Sequence, residues 1–306
     1  MVSYLQKTLE EIIEFKGVGL HSGVEANLRL KPAEPNFGIK FKRTDIDSDK
    51  NIIEANYKNV ISPILCTKIQ NSHGISVSTI EHLMAAFYLE GVDNVLVELD
   101  APEVPIMDGS AFDFAHAIKS FGTKEQKHPR KFIKVLKKVE ANNGVKKISI
   151  EPLSKDLVID FEIVYNNPLI RTRRKEFKLS ESDLNPITDS RTFCLYEDID
   201  QIRNQGLAKG GSLENAIVVK DHKILNDDGL RYRDEFVNHK ILDCVGDLML
   251  SGHRIFGHIK TSQGGHQLTN ALLTEFFSDE SNWEFENFED KDNKHSKYPK
   301  SIAVNV

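Results

Sequence analysis

Apolar residues recur at helical spacing between residues 236 and 249, and this pattern predicts a largely buried helix. At 3.6 residues per turn, His239 and Asp243 lie one turn apart on the same face, and Asp247 follows about one turn later. The rest of the helix surface is apolar and carries Phe236, Ile241, Leu242, Val245, Leu248 and Met249. Because an unpaired polar group is costly to bury, this stripe of one imidazole and two carboxylates needs a partner.

A second apolar helix is predicted from Ser78 to Phe87, where Ser78 and Thr79 are good N-cap residues and strong helix formers follow. Glu81 and His82 lie near its first turn, within an otherwise apolar pattern. Neighbouring residues on a helix point about 100° apart, so these two side chains would not both bind one ion head-on. His82 is therefore placed to ligate a metal while Glu81 reaches the water beside it.

The polar groups of the two helices together match a metal site. Two histidines and one aspartate, here His82, His239 and Asp243, form the three-ligand pattern of catalytic zinc, which keeps one position open for water. A His–Asp pair at this spacing is also common on solvated helix faces or as a local hydrogen bond. The non-enzymatic alternative is a polar stripe that only stabilises an interface between domains.

Another candidate for the same site is His266, which follows two glycines on a predicted loop after a strand. Loop histidines are usually structural or exposed, so His266 alone indicates little. Asp247 has no obvious role as a further metal ligand, and it is suited to orient an imidazolium instead. A cationic His266 can then serve as a general acid or stabilise an oxyanion.

The same order of strand and helix patterns occurs in both halves of the chain. In each half, strand-like segments precede the helix with the polar cluster, and a strand and another helix follow it. The strand-like segments are 26–30, 39–41, 94–99, 158–164 and 255–259, and the later helices are 111–120 and 268–277. This order predicts an α+β fold in which two similar α+β sandwich domains pack with the active site at their interface.

The boundary between the two halves is expected in the charged, proline-containing segment 122–131, which is typical of an interdomain linker. We expect an N-terminal α+β domain over residues 1–124 and a C-terminal α+β domain over 125–281. Residues 282–306 are polar and acidic and later contain lysines, so we expect a surface extension without chemistry.

Composition narrows the functional classes. The 306 residues are 40% hydrophobic and 28% charged, which is ordinary for a globular protein. A formal net charge of −6, with no basic patch interleaved with aromatic residues, argues against nucleic-acid binding. Three scattered cysteines, Cys66, Cys194 and Cys244, exclude a disulfide framework and favour a reducing cytoplasm. We expect no signal peptide and no transmembrane segment, because no apolar run is long enough.

Eight motifs occur in one order between about Leu5 and about Leu273: Gly17–Gly23 (GVGLHSG), Leu65-Cys66-Thr67, Ser78–Leu83 (STIEHL), Ala101–Ser110 (APEVPIMDGS), Arg191-Thr192-Phe193, Asn226–Arg231 (NDDGLR), His239–Asp243 (HKILD) and Gly265-His266. Taken together they resemble the UDP-3-O-acyl-N-acetylglucosamine deacetylases. These are the zinc amidases of lipid A biosynthesis in Gram-negative bacteria. So many separate motifs in order make the resemblance specific.

The resemblance implies two α+β domains that enclose a Zn²⁺ ion held by His82, His239 and Asp243. It implies that Glu81 is the general base, that His266 is a cationic acid with Asp247 as its partner, and that Thr192 donates to the oxyanion. Lys240, Phe193 and Leu20 are implied to contact the substrate, and in some members the cysteine that matches Cys66 approaches the metal.

The implied substrate is UDP-3-O-[(3R)-3-hydroxyacyl]-N-acetylglucosamine, from which hydrolysis releases acetate. In relatives, the uridine diphosphate pocket and the acyl channel lie partly in the segment that matches residues 130–190. A zinc amidohydrolase for another acylated amino sugar shares every metal argument and is the alternative enzyme. We expect a cytoplasmic monomer that comes transiently close to the inner membrane, because the substrate is an amphiphile.

Overall fold

The computed structural model describes residues 4–61 and 65–287, in which helices pack against mixed β-sheets. The helices are α1 (Glu81–Glu90), α2 (Phe112–Phe121), α3 (Asn185–Thr188), α4 (Ile199–Asn204), α5 (Glu235–Leu248) and α6 (His266–Ser278). The strands are β1 (Leu5–Leu9), β2 (Ile13–Val18), β3 (Glu25–Pro32), β4 (Ile39–Arg43), β5 (Ile52–Glu54), β6 (Lys68–Gln70), β7 (Ser76–Ser78), β8 (Val95–Leu99), β9 (Thr123–Pro129), β10 (Lys131–Val135), β11 (Val139–Asn143), β12 (Lys146–Pro152), β13 (Leu157–Ile163), β14 (Arg173–Lys178), β15 (Phe193–Leu195), β16 (Ile217–Lys220), β17 (Lys223–Ile224), β18 (Arg254–Ser262) and β19 (Trp283–Asn287).

The first half of the chain forms a five-stranded sheet in the order β2-β3-β8-β4-β5. Its strands alternate buried and exposed residues, as in β3, because one face packs on the core and the other faces solvent. β4 and β8 run parallel, and the other neighbours run antiparallel. α2 presents Phe114, Ala115 and Ile118 to the core.

The second half forms a seven-stranded sheet centred on β18, which pairs with β10, β12 and β13. A small separate sheet, β15-β16-β17, comes between β14 and α5 in the sequence. The mixed helix and sheet content confirms the predicted α+β class.

The two halves meet where α1 packs against α5. α1 is buried from Glu81 to Leu89, and α5 is buried at every residue except Lys240. Gly91 ends α1 in the left-handed conformation, at φ 82°, and its N–H donates to the carbonyl of Phe87. The helices can approach closely because Gly246 has no side chain: a Cβ there would lie 2.0 Å from the carbonyl oxygen of Glu81.

Two sequence-based predictions about helix starts are wrong. Neither Ser78 nor Thr79 caps α1, because Ile80 holds the N-cap position, and the Thr79 hydroxyl donates to Glu103 at 2.7 Å instead. His266 does not lie on a loop: it is the first residue of α6, directly after Gly265. The glycines end the loop, and the helix begins two residues earlier than the apolar pattern indicates.

The structure also revises the segments at the predicted boundaries. Residue 124 lies inside β9, which pairs antiparallel with β1, so the linker segment is largely a strand. The prediction of a polar extension from residue 282 is wrong for Trp283–Asn287, which form β19 against β10. Trp283 anchors this strand by packing on Phe277, with ring centroids 5.3 Å apart. Residues 288–306 lie outside the described residues, and the division into two domains stays a prediction.

Within the described residues, no helix is both long enough and apolar enough to cross a membrane.

Candidate metal centre and catalytic site

Three buried side chains from the two central helices converge at the interface between α1 and α5. His82 comes from α1, and His239 and Asp243 come from α5 one turn apart. One ligand atom from each lies within 4.8 Å of the other two. Asp243 Oδ1 is 3.5 Å from His82 Nε2 and 3.4 Å from His239 Nε2, and the two rings are nearly perpendicular at 85°.

These three residues fit a metal ion by their donor chemistry. Two imidazole nitrogens and a carboxylate oxygen point toward one another at distances longer than a good hydrogen bond, so they do not satisfy each other fully. All three groups are buried, which makes that lack of pairing costly without an ion. Two His and one Asp with a further open position is a donor set typical of catalytic zinc.

The surrounding groups orient the ligands. His239 Nδ1 donates to the carbonyl of Ser190 at 3.0 Å, which leaves the lone pair of Nε2 facing Asp243. Burial lowers the pKa of His239 to about 3, so its imidazole is neutral and able to ligate. Lys240 Nζ donates to Asp243 Oδ2 at 2.9 Å. Burial raises the pKa of Asp243, but His239 and Lys240 outweigh it and hold that pKa well below its usual range.

A second buried group of side chains lies beside the three ligands. Glu81 Oε1 is 3.7 Å from His266 Nε2, and the other ring nitrogen, Nδ1, is 2.8 Å from Asp247 Oδ2. His266 thus lies between two carboxylates, one from α1 and one from α5. Thr67 completes the group: its backbone N–H donates to Glu81 Oε2 at 3.0 Å, and its hydroxyl donates to Asp247 Oδ1 at 2.5 Å.

The electrostatics of this group suit proton transfer. Burial lowers the pKa of His266, but the charges of Asp247 and Glu81 together raise it to about 10, so the ring is an imidazolium at neutral pH. Burial also raises the pKa of Glu81, although the positive charge of His266 opposes this shift. A carboxylate whose pKa is raised by burial, beside a cationic histidine, offers one base and one acid for proton transfer.

Two adjoining cavities lie beside the site, and the larger one reaches His266. The larger has a volume of about 600 Å³ and is lined by His266 and Lys240 together with polar and apolar side chains, among them Lys146 and Tyr165. The second, of about 420 Å³, lies against α4 and the sheet β15-β16-β17 and is lined mostly by apolar residues such as Leu20, Leu213 and Leu225. The two cavities share Leu65, Thr192, Phe193, Cys194 and Ile202, so they adjoin.

The other predicted site residues are found at these cavities or close behind them. Thr192 and Phe193 line both cavities, and Lys240 Nζ lies 5.6 Å from the centre of the Phe193 ring. Leu20 lines the apolar cavity. Cys66 is buried and hydrogen-bonds to Thr79, and burial raises the pKa of its thiol to about 12. The converging ligand atoms belong to the other three residues, so Cys66 does not complete the set in this arrangement.

Sequence reasoning missed a buried ion pair that supports the site. Glu235, at the start of α5, accepts from the backbone N–H of Arg191 at 3.1 Å and from its Nε at 2.9 Å. Both side chains are buried, with exposed fractions of 0% and 3%. Arg191 lies between Ser190, which holds His239, and Thr192, which lines the cavities. A charged residue at the start of an otherwise apolar helix was the available signal.

The two cavities draw on different segments of the chain. The larger cavity takes Asn143, Lys146 and Tyr165 from residues 130–190. The apolar cavity is instead lined by residues 192–225 together with Leu20, His21 and Leu65. The location of the acyl channel stays a prediction.

Comparison with known proteins shows which family the chain belongs to. The family model described as UDP-3-O-acyl N-acetylglycosamine deacetylase matches residues 6–278. Relatives named UDP-3-O-acyl-N-acetylglucosamine deacetylase include one from Actinobacillus pleuropneumoniae serotype 3, 42% identical over 94% of both chains, and one from Actinobacillus succinogenes, 42% identical over 98% of this chain and 97% of its own. A third, from Aliivibrio fischeri, is 42% identical over 94% of both chains. The chain therefore belongs to the UDP-3-O-acyl-N-acetylglucosamine deacetylase family.

Proposed function

We propose that this chain is a zinc-dependent hydrolase that removes the N-acetyl group of UDP-3-O-[(3R)-3-hydroxyacyl]-N-acetylglucosamine and releases acetate, a step of lipid A biosynthesis. The observation that carries the proposal is the convergence of His82, His239 and Asp243 within 4.8 Å, beside the pair formed by Glu81 and His266. The names of the relatives supply the substrate class.

The three converging residues are the proposed zinc ligands. Bound zinc would polarise the amide carbonyl and lower the pKa of water toward about 7. Lys240 contributes by holding the second oxygen of Asp243, which leaves Oδ1 directed at the two histidines. Ser190 holds His239 in the orientation that ligation requires.

Glu81 is the proposed general base, because its carboxylate lies next to His82 on the same helix turn and its pKa is raised by burial. It takes a proton from the attacking water as a C–O bond forms at the amide carbon. The amide C–N bond then breaks, and the amine leaves with a proton supplied by the pair of Glu81 and His266. Before that proton is transferred, cationic His266 and the Thr192 hydroxyl stabilise the negative charge that develops on the carbonyl oxygen.

The two adjoining cavities suit the two ends of the substrate. We assign the acyl chain to the apolar cavity, where Leu20, Leu213 and Leu225 form the wall. We assign the uridine diphosphate to the larger cavity, because the cation of Lys146 lines it. Phe193 lines both cavities and is the proposed contact where the acyl chain joins the sugar.

We place the enzyme in the cytoplasm, where a reducing environment suits the free thiols of Cys66, Cys194 and Cys244. The substrate is an amphiphile, so the proposed monomer works close to the inner membrane without inserting into it. Analytical ultracentrifugation and cell fractionation test these two statements separately from the chemistry.

The decisive experiment measures acetate release from the UDP-linked substrate before chelation, after chelation and after zinc is restored. Activity that disappears and returns with zinc supports the whole proposal. Fully metallated, folded protein that releases no acetate would keep the metal site and discard this substrate in favour of another acylated amino sugar. If the protein binds no zinc tightly, the polar residues would form a non-catalytic interface between the domains instead of a metal site.

The role of Glu81 is tested by Glu81→Gln. This variant should bind zinc as the wild type does and lose about 10²–10⁴-fold in kcat, the usual scale for a general base. Glu90→Gln is the matched control, because Glu90 ends the same helix and pairs with Lys119. Loss of zinc from Glu81→Gln would make Glu81 a structural residue.

A further inference from the structure

Thr67 is the residue that connects the base to the histidine on the opposite side of the site. It is 2% exposed and precedes β6 in the first half of the chain. Its backbone N–H holds Glu81 Oε2, and its hydroxyl holds Asp247 Oδ1 across 180 residues of sequence. The same hydroxyl oxygen lies 3.1 Å from His266 Nδ1.

The contact between the Thr67 hydroxyl and Asp247 is short and cannot be replaced by solvent. Its length of 2.5 Å is that of a charge-assisted O–H···O⁻ hydrogen bond. Asp247 is 2% exposed. The space behind Asp247 and His266, bounded by Val60 and Leu250 among others, is too small to admit a water molecule. Without the hydroxyl, Asp247 Oδ1 would be buried with no donor in its place.

The position of Asp247 determines which ring nitrogen of His266 faces the reaction. Asp247 Oδ2 accepts from His266 Nδ1 at 2.8 Å, so Nδ1 is occupied. His266 Nε2 is then the nitrogen directed at Glu81, 3.7 Å away. If the carboxylate of Asp247 turned about its terminal bond, this contact and the ring orientation would be lost together.

We propose that Thr67 is a positioning residue for the deacetylation: its hydroxyl fixes the Asp247 carboxylate so that His266 presents Nε2 to Glu81, while its backbone N–H fixes Glu81 itself. The inference rests on the proposed function, and it adds a group that touches neither the metal ligands nor the cavities in the contacts described above. A single residue in this arrangement aligns the acid and the base with each other.

The test compares Thr67→Val, which keeps the shape and removes the hydroxyl, with Thr67→Ser, which keeps the hydroxyl and removes the methyl group. Thr67→Val should lower kcat by about 10–100-fold, the scale for groups that orient a catalytic residue, with KM and zinc content unchanged. Thr67→Ser should stay within about threefold of the wild type, because it restores the bond. The matched control is Thr269→Val, which removes another buried threonine hydroxyl, one on α6 that donates to the Gly265 carbonyl just before that helix.

A second readout does not depend on turnover. In nitrogen-15 NMR of zinc-free protein, the His266 Nδ1–H proton should give a downfield signal in the wild type, Thr67→Ser and Thr269→Val, and lose it in Thr67→Val. If the wild type released no acetate, this signal would still test the positioning and separate it from a failure of the proposed function. An active Thr67→Val with a wild-type rate and an unchanged signal would overturn the proposal.

A third outcome concerns folding. If Thr67→Val does not fold, Thr67→Ser decides the question alone. A wild-type rate and a wild-type His266 signal in Thr67→Ser would support the role of the hydroxyl in positioning Asp247. A folded Thr67→Ser that loses about 100-fold in kcat would show that the methyl group matters instead, and would overturn the proposal.

Discussion

Gly246→Ala tests whether the site depends on the close approach of α1 and α5. A methyl group at residue 246 would lie 2.0 Å from the carbonyl oxygen of Glu81, 2.8 Å from its carbonyl carbon and 3.1 Å from the backbone nitrogen of Ala85. All three atoms are backbone, so no side chain can turn away. To reach even 3.0 Å, the helices must separate locally by about 1 Å, which is the difference between that distance and the present 2.0 Å.

Two effects oppose each other in the stability of this variant. Alanine is favoured over glycine in a helix interior by about 1 kcal/mol. Overpacking a core typically costs about 1–3 kcal/mol, and a rigid backbone on the other side places Gly246→Ala at the upper end of that range. We therefore expect a net loss of roughly 2 kcal/mol in the free energy of unfolding, measured in urea on zinc-free protein.

The same separation should affect the metal, because His82 belongs to α1 and the other two ligands belong to α5. We expect weaker zinc binding in competition with a chelator, and a fall in kcat of about 10²-fold, the scale for a misplacement of about 1 Å. Gly257→Ala is the control: its methyl group would meet side chains of Val135 and Ile150 in the second sheet, at 2.9 and 3.2 Å. It should lose stability but keep zinc affinity. A Gly246→Ala protein with wild-type stability and affinity would refute the reasoning.

Three further predictions concern the ligands and the buried charges. His82→Ala removes one ligand, so metal analysis should find less than one zinc per chain; full occupancy would place the ion elsewhere. Glu235→Ala removes the buried carboxylate that pairs with Arg191 and leaves only Asp228, 2.7 Å from the guanidinium, so the variant should lose about 3 kcal/mol in urea unfolding, the lower end of the range for a broken buried pair. Glu14→Ala, at the exposed pair with Arg29, should cost less than about 1 kcal/mol, and equal losses would contradict the argument from burial. Burial raises the pKa of Asp108, but hydrogen bonds from Ser110 and Arg231 outweigh it and lower that pKa below the ordinary value. A carboxyl whose pKa is lower in the folded state stabilises the fold above the unfolded-state pKa of about 4, and this contribution is lost as the pH falls. Asp108→Asn should therefore be less stable than the wild type at pH 7, and the difference between their free energies of unfolding should disappear in acid. A gap that stays constant in acid would exclude this ion pair as its source.

The elements that the sequence predicts well are those whose signal is local. α5 follows from apolar residues at a period of 3.6, and the same period places His239 and Asp243 on one face. Five strands were predicted from runs of apolar and β-branched residues, namely β3, β4, β8, β13 and β18. The existence of each element depends on its own residues, so one sequence is sufficient to predict it.

The errors occur where a distant contact overrides the local signal. Thr79 has the side chain of an N-cap, but its backbone is left-handed at φ 56° and its hydroxyl is taken by Glu103. The segment after residue 282 is polar on average, but Trp283 and Phe285 alternate with polar residues. This segment pairs with β10 as an antiparallel strand. The average polarity of the segment hides the alternation of aromatic and polar residues that is typical of a strand. The composition therefore predicted a polar extension where the structure has β19.

The site also has a part that local spacing predicts and a part that it does not. The spacing of His239 and Asp243 on α5 predicts that they share one face, but no local pattern indicates that His82 on α1 meets them. That contact was inferred only because all three residue types are metal ligands. Thr67 has no local signal at all, because its two partners are 14 and 180 residues away. Residues that react are constrained by their chemistry and can be found by type, whereas a residue that positions them is constrained only by where the fold brings it. For a site assembled between two helices, the closeness of those helices at Gly246 is therefore as much a condition of the chemistry as the ligands are.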